Sequence, residues 1–260
     1  LTMTNKKFND LFEGKPRKSE SNLTQREMDL ASSIQKITEE VVVKLAKGIA
    51  KETKKTNLCL AGGVALNCVA NGVLSREKIF ENIWIQPAAG DAGGAVGAAL
   101  AQWHIGYNKK RNKVTNKDGM KGSYLGPSFD ENEIENALNR CGAIFHKLSE
   151  DELLESVAQA LSEEKAIGWM QGRMEFGPRA LGARSIIADP RSPFMQKQLN
   201  LKVKYRESFR PFAPSVLIEH VSDWFEQYKD SPYMLFVADI KKNKRISMSK
   251  KEGAYFGIKK

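Results

Sequence analysis

The sequence predicts an α/β protein built as two consecutive domains, and three observations carry that prediction. Short apolar runs, Asn57–Leu60 and Ile83–Gln86, each lead through a glycine-bearing turn into a helical pattern, the alternation expected of strands and crossover helices. From Gly106 to Ser123 the chain turns polar and basic, with Lys109, Lys110, Arg111, Lys113 and Lys117 clustered there, which places a boundary in that stretch. Beyond it the patterns come in the order helix, helix, strand, strand, which suggests a second α/β domain with a mixed sheet. The expected divisions are 1–107, a linker over 108–122, and 123–260. With 41% hydrophobic and 28% charged residues, domains of that size can each close a core of their own.

Taken in order, Leu1 to Ser21 is polar and without periodicity and reads as a loop. Thr24-x-x-Glu27 is a capping box. Leu30, Ile34, Ile37, Val41 and Leu45 then recur at three- and four-residue spacing, predicting a long packing helix to about Lys51. Strand Asn57–Leu60 runs into Ala61-Gly62-Gly63-Val64-Ala65-Leu66-Asn67. Two glycines between a strand and a helix let backbone N–H groups approach a nucleotide, and they equally make a tight turn. After Ile83–Gln86, the stretch from Ala88 to Leu100 predicts a helix with little side-chain bulk in its first turns and Asp91 at its N-cap. Its glycines cost roughly 1 kcal/mol each relative to alanine, so another backbone or a nucleotide must come close. Glu131–Arg140 and Asp151–Glu163 read as amphipathic helices, Ile186–Ala188 as a strand, and Ala166–Met170, Ser215–Ile218 and Met234–Ala238 as further apolar runs.

Composition excludes several classes of function. No apolar run approaches the roughly 18–20 residues that span a bilayer, and no charged-then-apolar leader opens the chain. Cys59, Cys68 and Cys141 lie far apart without CxxC spacing, which reads as reduced thiols rather than a metal or disulfide framework. A cytoplasmic protein is expected. The net charge of +10 is unevenly spread, with Lys241–Lys260 forming a generic lysine-rich segment.

The chemistry is concentrated between Ala166 and Pro214. From Gly172 to Pro214 there are nine Lys/Arg against three Asp/Glu, interleaved with glycine, proline and aromatic residues. Guanidinium forks bind phosphate or carboxylate bidentately, and glycines admit backbone N–H groups to the same anion. The pattern therefore suits a pocket for a multiply charged oxyanion. The bland alternative, a basic surface loop, accounts for any one arginine better than for the whole constellation.

Gly172-Arg173-Met174-Glu175-Phe176-Gly177-Pro178-Arg179-Ala180-Leu181-Gly182-Ala183-Arg184-Ser185-Ile186, with the later block Asn200 to Pro214, resembles the signature of the O-carbamoyltransferases. That family carbamoylates nodulation factors and antibiotics. The resemblance implies a YrdC-like second domain that begins near Tyr124-Leu125-Gly126-Pro127. It also implies that Gly62-Gly63 and the Asp91-Ala92-Gly93-Gly94 helix belong to the C-terminal part of an actin/hexokinase-like ATPase lobe. By the same resemblance, carbamoyl phosphate and ATP give carbamoyl adenylate, whose carbamoyl group passes to a hydroxyl of a small-molecule or sugar acceptor. Such chemistry calls for fixed cations rather than a nucleophile. The matching candidates are Arg173, Arg179, Arg184, Lys204, Arg206 and Arg210, with Arg179 and Arg184 assigned to phosphate and Lys204 and Arg206 to the nucleotide. Glu175 and Glu207 are expected to orient those arginines. Gly62, Gly63, Asn67, Gly93 and Gly94 are the implied nucleotide contacts, and Asp91 the implied metal ligand.

The sequence also departs from the family. Iron or another divalent metal would need two histidines of an earlier His-x-x-x-His, whereas His104, His146 and His220 form no such pair. The Thr-His-Val-Asp-Gly motif expected after about Ile240 is missing. The chain thus reads as part of a protein roughly twice as long, with self-association through residues 22–105 expected. Two other readings stay open. An RNA-binding or tRNA-modification-related module would show affinity falling steeply with salt. The locking of basic residues into Gly/Pro motifs, with no stacking platform, speaks against nucleic acid. A non-catalytic nucleotide-binding remnant would bind without turnover.

Overall fold

The Thr24 signal starts helix α2, Gln25–Thr53, in a computed structural model that describes residues 4–111, 118–226 and 230–249. Glu27 accepts hydrogen bonds from the Thr24 N–H at 2.9 Å and its hydroxyl at 2.5 Å. The helix ends where Lys54 turns left-handed and its N–H bonds the Ala50 carbonyl. Its core-facing residues are Val42, Ala46 and Ala50, which pack with Leu58, Leu74 and Phe80. They are not the stripe that predicted the helix. Ile34, Ile37, Val41 and Leu45 are 49–63% exposed and lie roughly a third of a turn away.

Strand β1 (Asn57–Leu60) pairs in parallel with β2 (Asn82–Ile85), Leu58 opposite Ile83 and Leu60 opposite Ile85. A parallel pair needs a crossover, and α3 (Cys68–Arg76) supplies it. The Asn67 side chain starts α3 by accepting from the Ala70 N–H at 3.1 Å. Helix α4 (Asp91–Ala101) follows β2 and continues through a wider turn over Gln102–Gly106. Its N-cap is Gly90, and Asp91 occupies the first helical position rather than the cap. Ahead of all this, the stretch read as a loop contains a helix, α1 (Lys6–Leu11). The Asn5 side chain caps it, and the tilted rings of Phe8 and Phe12 pack one turn apart with centroids 4.7 Å apart.

In the second half, α5 (Glu131–Arg140) and α6 (Glu150–Ser162) each open with a capping box, Asp130 with Glu133 and Ser149 with Glu152. Strand β3 (Ile167–Met170) pairs antiparallel with β4 (Arg184–Ile187), Met170 opposite Arg184. Among the described residues these strands form a two-stranded sheet apart from β1–β2, so the expected mixed sheet does not appear. A short helix α7 (Met195–Gln198) runs into a wide turn over Leu199–Val203, and α8 (Val221–Trp224) follows a turn at Ile218–His220.

The apolar run Met234–Ala238 forms no strand of a sheet, because its residues are used to join the two halves. Leu235 is 2% exposed and buried with Ala65, Ile85 and Ala89 of the first half. Nearby, Asp118 accepts from the Tyr233 hydroxyl and from the N–H groups of Met120 at 3.0 Å and Gly122 at 3.1 Å. Burial and the adjacent Asp118 carboxylate push the Tyr233 phenol above its usual range. Part of the expected linker, including Lys113 and Lys117, and residues 250–260 of the lysine-rich segment lie outside the described residues. No helix of the described residues is long and apolar enough to cross a membrane.

Candidate anion and nucleotide site

Glu175 organises the arginine motif. Its carboxylate is buried and accepts from the N–H groups of Leu181 at 2.7 Å, Ala183 at 2.8 Å and Arg184 at 3.3 Å. Burial opposes ionisation, but these backbone N–H groups outweigh it and hold the carboxyl below its ordinary value. Glu175 therefore orients the backbone from Leu181 to Arg184 and, among the described residues, pairs with no guanidinium. The Phe176 N–H bonds the Ser123 carbonyl at 2.7 Å, and Met174 exchanges backbone bonds with Gly126 and Pro127. The motif is thus stitched to the start of the second half.

With that frame fixed, the cations divide into two groups. Arg184 turns back on its own loop, donating to the carbonyls of Ala183 at 2.8 Å, Gln171 at 3.1 Å and Gly172 at 3.3 Å. Arg191 is neutralised in place by Asp189, whose carboxyl is held low by that side-chain pairing. Arg173 is exposed and meets no acidic or hydrogen-bonding side chain among the described residues. Arg179 is half-buried and leans on the first half, its Nη2 3.5 Å from the Leu66 carbonyl. Its Nε is buried with no acceptor. An unsatisfied buried donor costs about 1–3 kcal/mol, and more when it belongs to a charged group.

A second frame is built around Asn200, which is fully buried (0% exposed). Its Nδ2 donates to the carbonyls of Arg210 at 2.8 Å and Ser208 at 3.0 Å, and its Oδ1 accepts from Arg206 Nε at 2.6 Å. Arg206 also lies over the Phe212 ring, 4.9 Å from its centroid. Lys204 and Arg210 are exposed, and among the described residues their side chains take no partner. Glu207, expected to orient an arginine of the motif, instead pairs with Arg17 at 2.5 Å from the N-terminal segment. A groove of about 470 Å³ lies between that segment and residues 207–209, but Glu20 and Glu207 line it, a poor setting for an anion. No hydrogen bond or ion pair among the described residues joins Arg173, Arg179 or Arg184 to the Asn200 loop.

Two family models match the chain, a carbamoyltransferase N-terminus over residues 1–100 and a carbamoyltransferase C-terminus over residues 158–251. The chain belongs to the carbamoyltransferase family. An uncharacterized protein of Synechocystis sp. is 58% identical over 263 residues, covering all of this chain and 42% of its own length. Nodulation protein NolO of Bradyrhizobium diazoefficiens is 40% identical over 225 residues, 85% of this chain and 40% of that protein. Nodulation protein U of Rhizobium fredii is 35% identical over 184 residues, 69% of this chain and 28% of that protein. The chain spans about two fifths of the length of the first two of these relatives.

In this member of the family the glycine turns of the first half are packed against one another. Gly62 adopts φ +104° and donates to the Ala89 carbonyl at 2.8 Å. A Cβ on Gly93 would sit 2.1 Å from the Ala88 carbonyl, so backbone contact explains that glycine. Gly63 and Gly94 open onto free space. Asn67 is committed to capping α3 and to Gln35, which lies 2.9 Å from its Nδ2. Gly177 lies on Ala88 and Pro87, so the Gly177-Pro178-Arg179 segment meets the first half at these turns. Asp91 is exposed, and no three His, Cys, Asp or Glu side chains among the described residues come together as a metal shell. The residues present do not by themselves fit a metal ion.

Asn71, Asn200 and Leu235 have structural roles that the sequence reading did not give them. Asn71-Gly72 left a trace: a polar residue followed by glycine inside a helix that must pack on a strand pair.

Proposed function

We propose that this chain handles carbamoyl phosphate and nucleotide in an O-carbamoyltransferase. The second half acts as the YrdC-like activating domain, and the first half as the C-terminal part of an actin/hexokinase-like transfer lobe. Water opens the mixed anhydride of carbamoyl phosphate to carbamate and phosphate. A carbamate oxygen then attacks the α-phosphorus of ATP, and pyrophosphate leaves with the electron pair of the broken P–O bond. The carbamoyl adenylate next meets an acceptor hydroxyl, whose oxygen takes the carbamoyl carbon while AMP departs and the hydroxyl proton is lost to water or a base. Each step gathers negative charge on leaving oxygens, which fixed cations stabilise without supplying a nucleophile.

One observation carries the reading. Arg173, Lys204 and Arg210 stay free among the described residues, close in the chain to backbone that the buried Glu175 and Asn200 brace. Free cations on a rigid frame are pre-organised for a polyanion. Arg179, with its unsatisfied Nε, is a fourth cation for the same substrates. Gly62, Gly63 and Gly94 remain the nucleotide contacts of this proposal. An iron or divalent-metal site would take only Asp91 from this sequence.

Calorimetric titration of carbamoyl phosphate, with and without a non-hydrolysable ATP analogue, tests the reading. Micromolar to millimolar binding, lost in Arg173→Ala and Arg179→Ala, supports it. Absence of binding by the folded protein, with RNA bound in a salt-dependent manner instead, would overturn it. The exposed stripe Ile34, Ile37, Val41 and Leu45 belongs to the same proposal as a self-association surface. A monomer in light scattering at high concentration would remove that part.

A further inference from the structure

Helix α3 does more than cross between two strands. Its buried polar residue, Asn71, is 2% exposed and donates both hydrogens of its amide. One goes to the Ala65 carbonyl in the turn after Gly62-Gly63, at 2.8 Å. The other goes to the Leu235 carbonyl in the second half, at 3.0 Å and 164 residues away. Beside it, the Val237 N–H bonds the Cys68 carbonyl at 3.2 Å. A Cβ on Gly72 would lie 2.6 Å from the Val237 carbonyl, so only glycine allows the 235–237 backbone to approach α3 this closely. Leu235 meanwhile fills the cluster of Ala65, Ile85 and Ala89. Residues 235–237 thus lie across α3 as a strap, and Asn71 holds strap and glycine turn together.

We infer that Asn71 is a positioning residue: it fixes the Gly62–Leu66 turn to the 235–237 strap, so that the turn keeps its nucleotide-binding shape only while the second half is docked. The inference rests on the proposed nucleotide role of that turn. The chemistry is specific. An amide with two donors serves two carbonyls on separate segments, a task that neither aspartate nor alanine can perform. Removing it leaves two buried carbonyls unpaired on opposite sides of the same joint. Arg179 leans on the Leu66 carbonyl at the end of the same turn, so loosening the strap also disturbs the seat of that arginine.

The test compares Asn71→Ala, Gly72→Ala and Leu74→Ala in this chain. Leu74 is an equally buried residue of α3 that packs into the other cluster, with Ala46, Leu58 and Phe80, and so controls for loss of stability. The first reading is amide hydrogen exchange at Ala65, Asn67 and Val237, whose N–H groups close the turn and the strap. The second is the Kd for AMP. Asn71→Ala and Gly72→Ala should each speed exchange at turn and strap together, at least tenfold, and weaken AMP at least tenfold. Leu74→Ala should leave the Kd within twofold. Opening of only one side in Asn71→Ala, or an equal loss of AMP affinity in Leu74→Ala, overturns the inference. If the unmodified chain binds no AMP, the nucleotide reading of the turn falls. The exchange result then still decides whether Asn71 couples strap and turn.

Discussion

Two glycine-containing turns among the described residues, Leu181–Arg184 and Gly62–Leu66, are used in opposite ways. The turn from Leu181 to Arg184 closes on an internal carboxylate: Glu175 takes three of its N–H groups. Among the described residues, no side-chain carboxylate bonds the turn from Gly62 to Leu66, which is shaped from outside by Ala89, Asn71 and the strap. A glycine- and arginine-rich stretch is therefore not by itself a ligand pocket. Part of its hydrogen-bonding capacity builds the frame, and only the remainder is offered to a substrate. The same division runs through the cations, with Arg184, Arg191 and Arg206 committed internally and Arg173, Lys204 and Arg210 without a side-chain partner among the described residues.

That division can be broken by substitution. The largest effect is expected for Asn200→Leu, which removes three hydrogen bonds, leaves the Ser208 carbonyl and Arg206 Nε unpaired, and leaves the Arg210 carbonyl to Gln196 alone. Chemical denaturation should show a loss of about 3 kcal/mol or more. Leu235→Ala should cost about 2–4 kcal/mol by opening a cavity between the halves. The same denaturation experiment reads it, and a loss under 1 kcal/mol would mean that the strap carries little of the joint.

Glu175→Gln keeps the shape but sets an amide N–H₂ among backbone donors, for an expected loss of about 2 kcal/mol near neutral pH. The sign of its pH dependence follows from the depressed carboxyl. The unfolded chain takes up a proton near the ordinary 4.5 while the folded one still resists it. Glu175 thus stabilises fully above that range, and its contribution fades as pH falls through the lower folded value. The stability gap between wild type and Glu175→Gln should be flat above about pH 5 and shrink in more acidic buffer. A gap that widens on acidification would contradict the assignment.

The smallest effects on stability separate the two groups of cations. Arg184→Ala should lose about 1 kcal/mol, since its guanidinium bonds three carbonyls of its own loop. Arg173→Ala should stay within about 0.5 kcal/mol of wild type. Binding of carbamoyl phosphate sharpens the contrast, because there Arg173→Ala is expected to lose tenfold or more. If Arg173 proves neutral in both assays, the free cations are solvated surface and the division means nothing for substrate.

Local rules made much of this protein legible from its sequence. The capping boxes at Thr24, Asp130 and Ser149 start helices where the pattern places them, and strands fall at Asn57–Leu60 and Asn82–Ile85. These signals act within a few residues, between groups adjacent in the chain. The carbamoyltransferase motifs were equally plain as strings of residues. Which of their arginines are free was not, because Glu175, Asn200 and Asp189 differ from other polar residues only in what the folded chain places around them.

Tertiary structure alone decided which face of α2 meets the core, since Ile34, Ile37, Val41 and Leu45 make as good a stripe on paper as Val42, Ala46 and Ala50. It also turned the apolar run at Leu235 into a joint rather than a strand. Asn71 became the tie between residues 65 and 235, a pairing no local pattern encodes. The reason is the same each time. Sequence periodicity reports that a residue seeks burial or a hydrogen-bond partner, whereas the identity of the partner depends on segments brought together by the fold, for Leu235 and Asn71 from more than a hundred residues away.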